Sequence, residues 1–313
     1  MTATDDPLSQ LVDIDDLDRA RATALLDRAD VLRDVAIGRS PALTTLAGRT
    51  VVNLFFENST RTRTSFSLAA RRLGADVVDF QAHTSSTAKG ESVLDTFRTL
   101  RAMGCDAFVV RHADDDAVAD LARQAGASVP IINAGSGTRA HPTQALLDAL
   151  TMRRHKGDLS RLTVLIVGDI RHSRVARSNL KLLAMLGVGQ VRVAAPASLQ
   201  APDMADRRIR VFDSLDAALD GCDVVMMLRL QRERMVAANL PDTASYFREW
   251  GLTAARLGRA RPGAIVMHPG PMNRDVEIAS EVADGAQSVI LDQVTNGVAV
   301  RMAVLERVLL GAR

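Results

Sequence analysis

The sequence predicts an α/β protein of two domains, each a parallel β-sheet flanked by helices, with the active site in the interdomain cleft. Three observations carry this expectation. Short, nearly continuous apolar runs rich in β-branched residues alternate with longer segments of helical periodicity, as in sheets covered on both faces. Four such runs precede a helical segment near 141–155 and four follow it, so that one helix joins two α/β halves. The chain has 313 residues, enough for two domains that each bury a core.

In chain order, DDLDRARATALLDRADVLRDVA (15–36) reads as a helix that carries little chemistry. The first four strands are expected at TVVNLFF (50–56), DVVDF (76–80), AFVVR (107–111) and PIINA (130–134). The second four are LTVLIVGD (162–169), VRVAAP (191–196), DVVMMLR (223–229) and AIVMHP (264–269). Between them, Phe66, Ala69, Ala70 and Leu73 mark one helix face that ends at Gly74, a favoured C′ residue. Ala176, Leu180, Leu183 and Gly187 repeat the pattern, as do Val298, Met302, Leu305 and Leu309. The domains are therefore expected at 1–142, with a terminal helix at 296–313 packing back on it, and at 143–295.

Composition narrows the function classes. Hydrophobic residues are 47% and charged residues 24%, as in a globular protein, and no apolar run approaches the ~20 residues that span a bilayer. MTATDDPLSQ lacks the basic and apolar regions of a secretory signal, so a cytoplasmic protein without membrane attachment is expected. Net charge is +2 with interleaved signs and aromatics are 3%, which argues against a nucleic-acid partner. Cys105 and Cys222 stand at the entries of apolar runs and read as small buried residues. The six histidines lack ligand spacing, so no metal is expected.

The chemistry-bearing segments sit at strand ends. FFENSTRTRTSF places Ser59, Thr60, Arg61 and Thr62 where a strand gives way to a helix. A helix N-terminus has unpaired N–H groups and partial positive charge, and hydroxyls with a guanidinium fork add further donors. A phosphate-bearing ligand is one reading; a plain N-cap with surface arginines is the other. GxxxxGK[ST] is absent, so this is not a P-loop. IVGDIRHSRVARSN (166–179) has only Gly168 where a dinucleotide fingerprint needs three glycines, and its Arg171 and Arg174 suit a carboxylate better than a pyrophosphate. The competing reading is a solvated helix start. In MMLRLQRERM (226–235), Arg229 and Gln231 share a face if the strand continues. His141 and Gln144 lie three apart at a helix start, SSTAKGES (85–92) reads as a polar loop, and MHPGPMNR (267–274) reads as a rigid turn presenting carbonyls.

Together and in this order, FFENSTRTRTSF, STAKGES, VVRH, NAG…HPTQALLDAL, VGDIRHSRVARS, MLRLQRERM and MHPGPMNR…VEIASEVADG resemble the aspartate carbamoyltransferase catalytic chains of the aspartate/ornithine carbamoyltransferase superfamily. The likeness covers roughly residues 50–300. It implies transfer of a carbamoyl group from carbamoyl phosphate to L-aspartate, in pyrimidine synthesis, with no cofactor. By that resemblance Ser59, Thr60, Arg61, Thr62 and Arg111 hold the phosphate, while Thr62, Arg111 and His141 meet the carbamoyl oxygen. Gln144 and the carbonyls of Gly270 and Pro271 take the carbamoyl NH2. Arg174, Arg229 and Gln231 bind aspartate. Ser85 and Lys89 match a loop that reaches a neighbouring subunit's site, Lys89 contributing to aspartate binding and catalysis there, which implies a homotrimer with shared sites. Glu57, Arg174 and Arg234 match residues that link the two domains. Relatives occur as free trimers or with regulatory or dihydroorotase-like chains, and no residue here names such a partner.

Ser67 and Ser136 stand where the pattern commonly has acidic residues, and Gly270 where some relatives have leucine. An ornithine-type carbamoyltransferase is the nearest alternative, but it usually carries an HCLP-like segment where this chain has HPGP. Lys89 would also repel ornithine's ammonium group. A nicotinamide-dependent dehydrogenase on a similar scaffold would need the missing GxGxxG.

Overall fold

The computed structural model describes residues 8–81, 91–201, 209–231 and 242–311. The helices are α1 (Arg19–Ala36), α2 (Thr60–Arg72), α3 (Val93–Ala102), α4 (Ala117–Ala125), α5 (Pro142–Lys156), α6 (Arg174–Leu186), α7 (Leu215–Leu219), α8 (Thr243–Trp250), α9 (Ala254–Leu257), α10 (Ser280–Ala283) and α11 (Ile290–Leu310). The strands are β1 (Thr50–Phe55), β2 (Asp76–Gln81), β3 (Ala107–His112), β4 (Ile131–Ser136), β5 (Thr163–Val167), β6 (Gln190–Ala194), β7 (Ile209–Phe212), β8 (Val224–Met227) and β9 (Ile265–Met267). Among the described residues they form two sheets, ordered β2-β1-β3-β4 and β7-β6-β5-β8-β9, with every pairing parallel.

The chain divides into two compact units, residues 1–147 with 295–313, and residues 148–294. The division falls inside α5 and inside α11, not at residue 142, where the sequence alone puts it. A boundary within a continuous helix leaves no turn residue to mark it. The final helix also begins at Ile290 rather than at 296. Leu291 and Val294 are exposed, so the apolar periodicity read from Val298 does not extend back to the true start.

In the first unit, β1, β3 and β4 are almost wholly buried, as the β-branched runs require. Phe97 and Phe108 meet edge-on at 4.7 Å in a core with Val52, Leu54, Val110, Leu121 and Ile131. The N-terminal segment is more than a helix. Leu11 bridges Ile132 in parallel, its N–H donating to the Ile131 carbonyl at 2.9 Å, so it covers the open edge of β4. In the second unit, β7 adds an edge strand that the sequence reading omits. Its IRVF run is partly exposed, and Arg192 and Arg210 flank the Phe212 ring, so it lacks the apolar continuity of its neighbours.

Cys105 is half-buried and Cys222 buried; both are free thiols. Burial pushes the Cys222 thiol up to about 11, which keeps it protonated and unreactive at neutral pH. Among the described residues no helix is long and apolar enough to cross a membrane, and no group of three or more His, Cys, Asp and Glu is placed to hold a metal ion.

Candidate functional site

In an open parallel sheet, ligands collect beyond the carboxyl ends of the strands where the strand order reverses. Each sheet has one such point. In the order β2-β1-β3-β4 the reversal lies between β1 and β3; in β7-β6-β5-β8-β9 it lies between β5 and β8. Several of the residues singled out from the sequence lie at these two places.

In the first unit, β1 and β3 end together, with Phe55 opposite Arg111 and the Phe56 N–H donating to the Arg111 carbonyl at 2.9 Å. Four residues on, α2 opens. Its N-cap, Ser59, has extended backbone (φ −158°, ψ 93°) and no cap bond from its side chain, so the helix start is not closed by its own hydroxyl. Thr60 and Arg61 are exposed and Thr62 is buried on the first turn. Hydroxyls, a guanidinium and main-chain donors thus share one positively polarised helix end.

Arg111 is buried at the end of β3. Its Nη1 donates to the Ala134 carbonyl at 3.0 Å and its Nη2 to Glu57 Oε1 at 2.5 Å, which fixes the guanidinium plane between β1 and β4. Glu57, assigned by resemblance to a link between domains, accepts this bond from Arg111. His112 pairs with Ser136 at the end of β4, and the turn that follows leads to His141 and Gln144 at the start of α5, both buried. Asn133 shapes this turn: its Nδ2 donates to Ser136 Oγ and its Oδ1 accepts from the Gly135 N–H. Asp115 reaches in from the loop after β3 and accepts from the Thr138 N–H and hydroxyl. An added Cβ on Gly137 would lie 1.9 Å from Asp115 Oδ1, so only glycine fits there. The carboxylate absent at Ser136 is therefore supplied to the turn from elsewhere. At Ser67 the outcome is similar, because its hydroxyl donates to Asp79 and both are tied to Asn53 of β1.

In the second unit, β5 is followed by Gly168, whose φ of +120° favours glycine and whose added Cβ would stand 3.1 Å from the Leu228 carbonyl. The close approach of β5 and β8 explains one glycine without a dinucleotide motif. Asp169 is fully buried and its Oδ1 accepts from the His172 N–H and meets its Nδ1 at 2.9 Å. Burial raises the Asp169 carboxyl above its ordinary range, against the opposing pull of His172. Ser173 caps α6 through the Ala176 N–H, and Arg174, the first helical residue, is buried.

The β8 ladder stops at Met227, so Arg229 and Gln231 lie beyond the strand rather than in it. The side-chain alternation persists, since Leu228 and Leu230 are buried while Arg229 and Gln231 are part-exposed. Gln231 Nε2 donates to the His172 carbonyl at 3.2 Å, joining the segment after β8 to the corner that carries Arg174. Gly270 and Pro271 follow β9 in the same unit and are joined by a cis peptide bond. Ser85, Lys89 and Arg234 lie outside the described residues. The sequence does not single out Asp115, Asn133, Asp169 or the buried pair His268–Glu277, because isolated acids, amides and histidines carry no periodic signal.

Comparisons with known proteins identify the family of each part of the chain. Residues 9–154 match the family model "Aspartate/ornithine carbamoyltransferase, carbamoyl-P binding domain". Residues 160–308 match "Aspartate/ornithine carbamoyltransferase, Asp/Orn binding domain". The chain is 56% identical to the aspartate carbamoyltransferase catalytic subunit of Xanthomonas euvesicatoria over 98% of both chains. It is 56% identical to that of Stenotrophomonas maltophilia over 96% of both. Among solved structures it is similar to Trypanosoma cruzi aspartate transcarbamoylase in complex with carbamoyl aspartate and phosphate, with a TM-score of 0.89 at 34% identity over 98% of both chains. The same enzyme bound to N-(phosphonacetyl)-L-aspartic acid gives a TM-score of 0.85 at 33% identity over 97% of both.

Proposed function

The chain belongs to the aspartate/ornithine carbamoyltransferase family, and from that premise we infer that it transfers the carbamoyl group of carbamoyl phosphate to the amine of L-aspartate. The products are N-carbamoyl-L-aspartate and phosphate, a step of pyrimidine synthesis. The observation that carries the reading is the pair of sheet switch points, one ending in the uncapped, hydroxyl-rich start of α2 and the other in Arg174 and Arg229.

The first unit, in this reading, takes carbamoyl phosphate. Ser59, Thr60, Arg61 and Thr62 offer donors to the phosphate oxygens at a helix N-terminus, and Arg111 adds its fork. The second unit takes aspartate, with Arg174 and Arg229 meeting its two carboxylates and Gln231 beside them. The amine nitrogen attacks the carbamoyl carbon, the carbonyl oxygen gains negative charge, and the carbon–oxygen bond to phosphate breaks. Thr62, Arg111 and His141 are donors for that growing charge, so they stabilise the transition state more than the ground state. Gln144 and the carbonyls of Gly270 and Pro271 orient the NH2 group. Holding two small substrates in register can contribute about 7–11 kcal/mol. The departing phosphate takes the amine's proton, and His141 donates to the carbonyl rather than acting as a base.

The test is an assay offering aspartate and ornithine together with carbamoyl phosphate. Carbamoyl-aspartate alone is the expected product; citrulline in its place would sink the reading.

The chain further acts as a cytoplasmic homotrimer whose sites are shared, with Ser85 and Lys89 entering a neighbour's site, and with Arg234 and Glu57 acting on domain closure. Relatives' printed name, catalytic subunit, fits assembly with regulatory or dihydroorotase-like chains. Lys89→Ala and Arg61→Ala proteins, each inactive alone, are expected to regain activity when their chains are mixed and exchanged. Hybrid trimers verified by mass that stay inactive would exclude shared sites.

A further inference from the structure

The turn after β9 is held by a buried side-chain pair. His268 and Glu277 are both fully enclosed, and His268 Nε2 lies 3.1 Å from Glu277 Oε1. The other ring nitrogen, Nδ1, accepts from the Gly270 N–H at 2.8 Å. An imidazole nitrogen that accepts carries no proton, so the proton sits on Nε2 and is donated to the carboxylate. The same oxygen, Glu277 Oε1, also accepts from the Asn273 N–H at 2.5 Å. One carboxylate oxygen therefore fixes two amides of the turn, Asn273 directly and Gly270 through the ring. The turn is further anchored at its start, where the His268 N–H donates to Gln293 Oε1 at 2.9 Å and Gln293 Nε2 donates to Asp148 Oδ1 at 2.8 Å.

The two pinned amides bracket the carbonyls of Gly270 and Pro271. Proline has no N–H of its own, so nothing between Gly270 and Asn273 except Met272 could donate to hold the peptide planes. A free glycine–proline turn has several carbonyl directions of similar energy; held at one end by a hydrogen bond to the His268 ring and at the other by one to the Glu277 carboxylate, it has one.

We propose that the His268–Glu277 pair is a positioning device that aims the Gly270 and Pro271 carbonyls, and that it sets the enzyme's preference for a carbamoyl group over an acyl group without N–H donors. The inference rests on the assignment of these carbonyls to the carbamoyl NH2. Neither His268 nor Glu277 touches substrate in this scheme; each acts through main-chain atoms two to six residues away.

Acetyl phosphate is the probe, because it carries a methyl group where carbamoyl phosphate carries NH2. Binding of carbamoyl phosphate, acetyl phosphate and inorganic phosphate is measured by calorimetry on the trimer for the wild type, Glu277→Gln and Glu277→Leu, with kcat and the aspartate KM alongside. The preference for carbamoyl over acetyl phosphate is expected to fall about 3- to 10-fold in Glu277→Gln, in line with weakening of a single hydrogen bond, and further in Glu277→Leu. Phosphate binding and the aspartate KM are expected to hold. His268→Asn keeps an acceptor for the Gly270 N–H and loses the reach to Glu277, so it is expected to resemble Glu277→Gln. Should Glu277→Leu fail to fold, Glu277→Gln decides. A lowered melting temperature with the wild-type preference intact would make the pair purely structural and overturn the proposal. A wild type that itself fails to prefer carbamoyl phosphate would remove the carbonyl assignment, a separate and recognisable failure that takes the proposal with it.

Discussion

Replacing His141 with alanine is expected to lower kcat about 10²- to 10³-fold, the usual loss for one donor to a developing oxyanion, while leaving inhibition by inorganic phosphate nearly unchanged. The separation follows from what each group meets. In the proposed mechanism phosphate is bound as an anion in ground and transition state alike, at the start of α2. The carbonyl oxygen becomes strongly basic only as the amine attacks, so a donor there is felt mainly in turnover. The substitution also spares the fold around it. The main-chain carbonyl of His141 accepts the first bonds of α5, from the Gln144 and Ala145 N–H groups at 3.0 and 3.3 Å, and alanine retains that carbonyl. Stopped-assay kinetics with phosphate as a competitive inhibitor separate the two quantities. Turnover near wild type would remove His141 from the chemistry, and a parallel loss of phosphate affinity would make it a binding residue only.

What the sequence reveals about the fold depends on burial. The eight strands expected from apolar runs are all present: the inner ones are apolar because both faces are covered, and the edge strand β2 is legible from Val77, Val78 and Phe80 although it is partly exposed. The ninth, β7, escapes because it is an edge strand whose exposed Arg210 and Val211 break that rule. The strand ends are overrun for a related reason. DVVMMLR continues as an apolar run after its last ladder pair at Met227, since Leu228 and Leu230 stay buried beyond the end of the strand. Periodicity reports burial, and hydrogen bonding only by association.

The proposed binding residues divide in the same manner. Ser59 to Thr62 are readable because four donors follow one another at a strand–helix junction, a density that a single cap does not need. Arg174, Arg229 and Gln231 are weaker signals one by one, and gain meaning only when the strand order shows them beyond the same reversal between β5 and β8. The supporting residues are invisible in one dimension. Asp115 lies 23 positions from the Thr138 that it holds, and Asp148 lies 145 from Gln293. Nothing in a linear pattern couples such pairs; the first is set by which loops meet beyond the sheet, the second by the packing of α5 against α11.

The other large effect is expected at Arg229. Arg229→Ala should raise the aspartate KM about 10- to 100-fold, the range for losing hydrogen bonds to a charged partner, with carbamoyl phosphate binding unaltered. The backbone at this position is secured independently of the guanidinium. The Leu228 N–H donates to the Val167 carbonyl at 2.8 Å, and Leu228 and Leu230 are buried on either side, so truncation removes the head group without freeing the segment. The phosphate group of carbamoyl phosphate is assigned to the other unit, and neither its donors nor the Gly270 and Pro271 carbonyls involve β8, which is why its affinity should stand. Arg229→Lys is expected to restore only part of the loss, because an ammonium cannot reproduce a two-point contact with a planar carboxylate. Succinate sharpens the test, having both carboxylates of aspartate and no amine. Its inhibition constant should rise by the same factor as the aspartate KM if Arg229 reads a carboxylate. An unchanged succinate constant beside a raised aspartate KM would instead place Arg229 at the amine, where a cation repels the protonated form and would have to act by holding the nucleophile neutral.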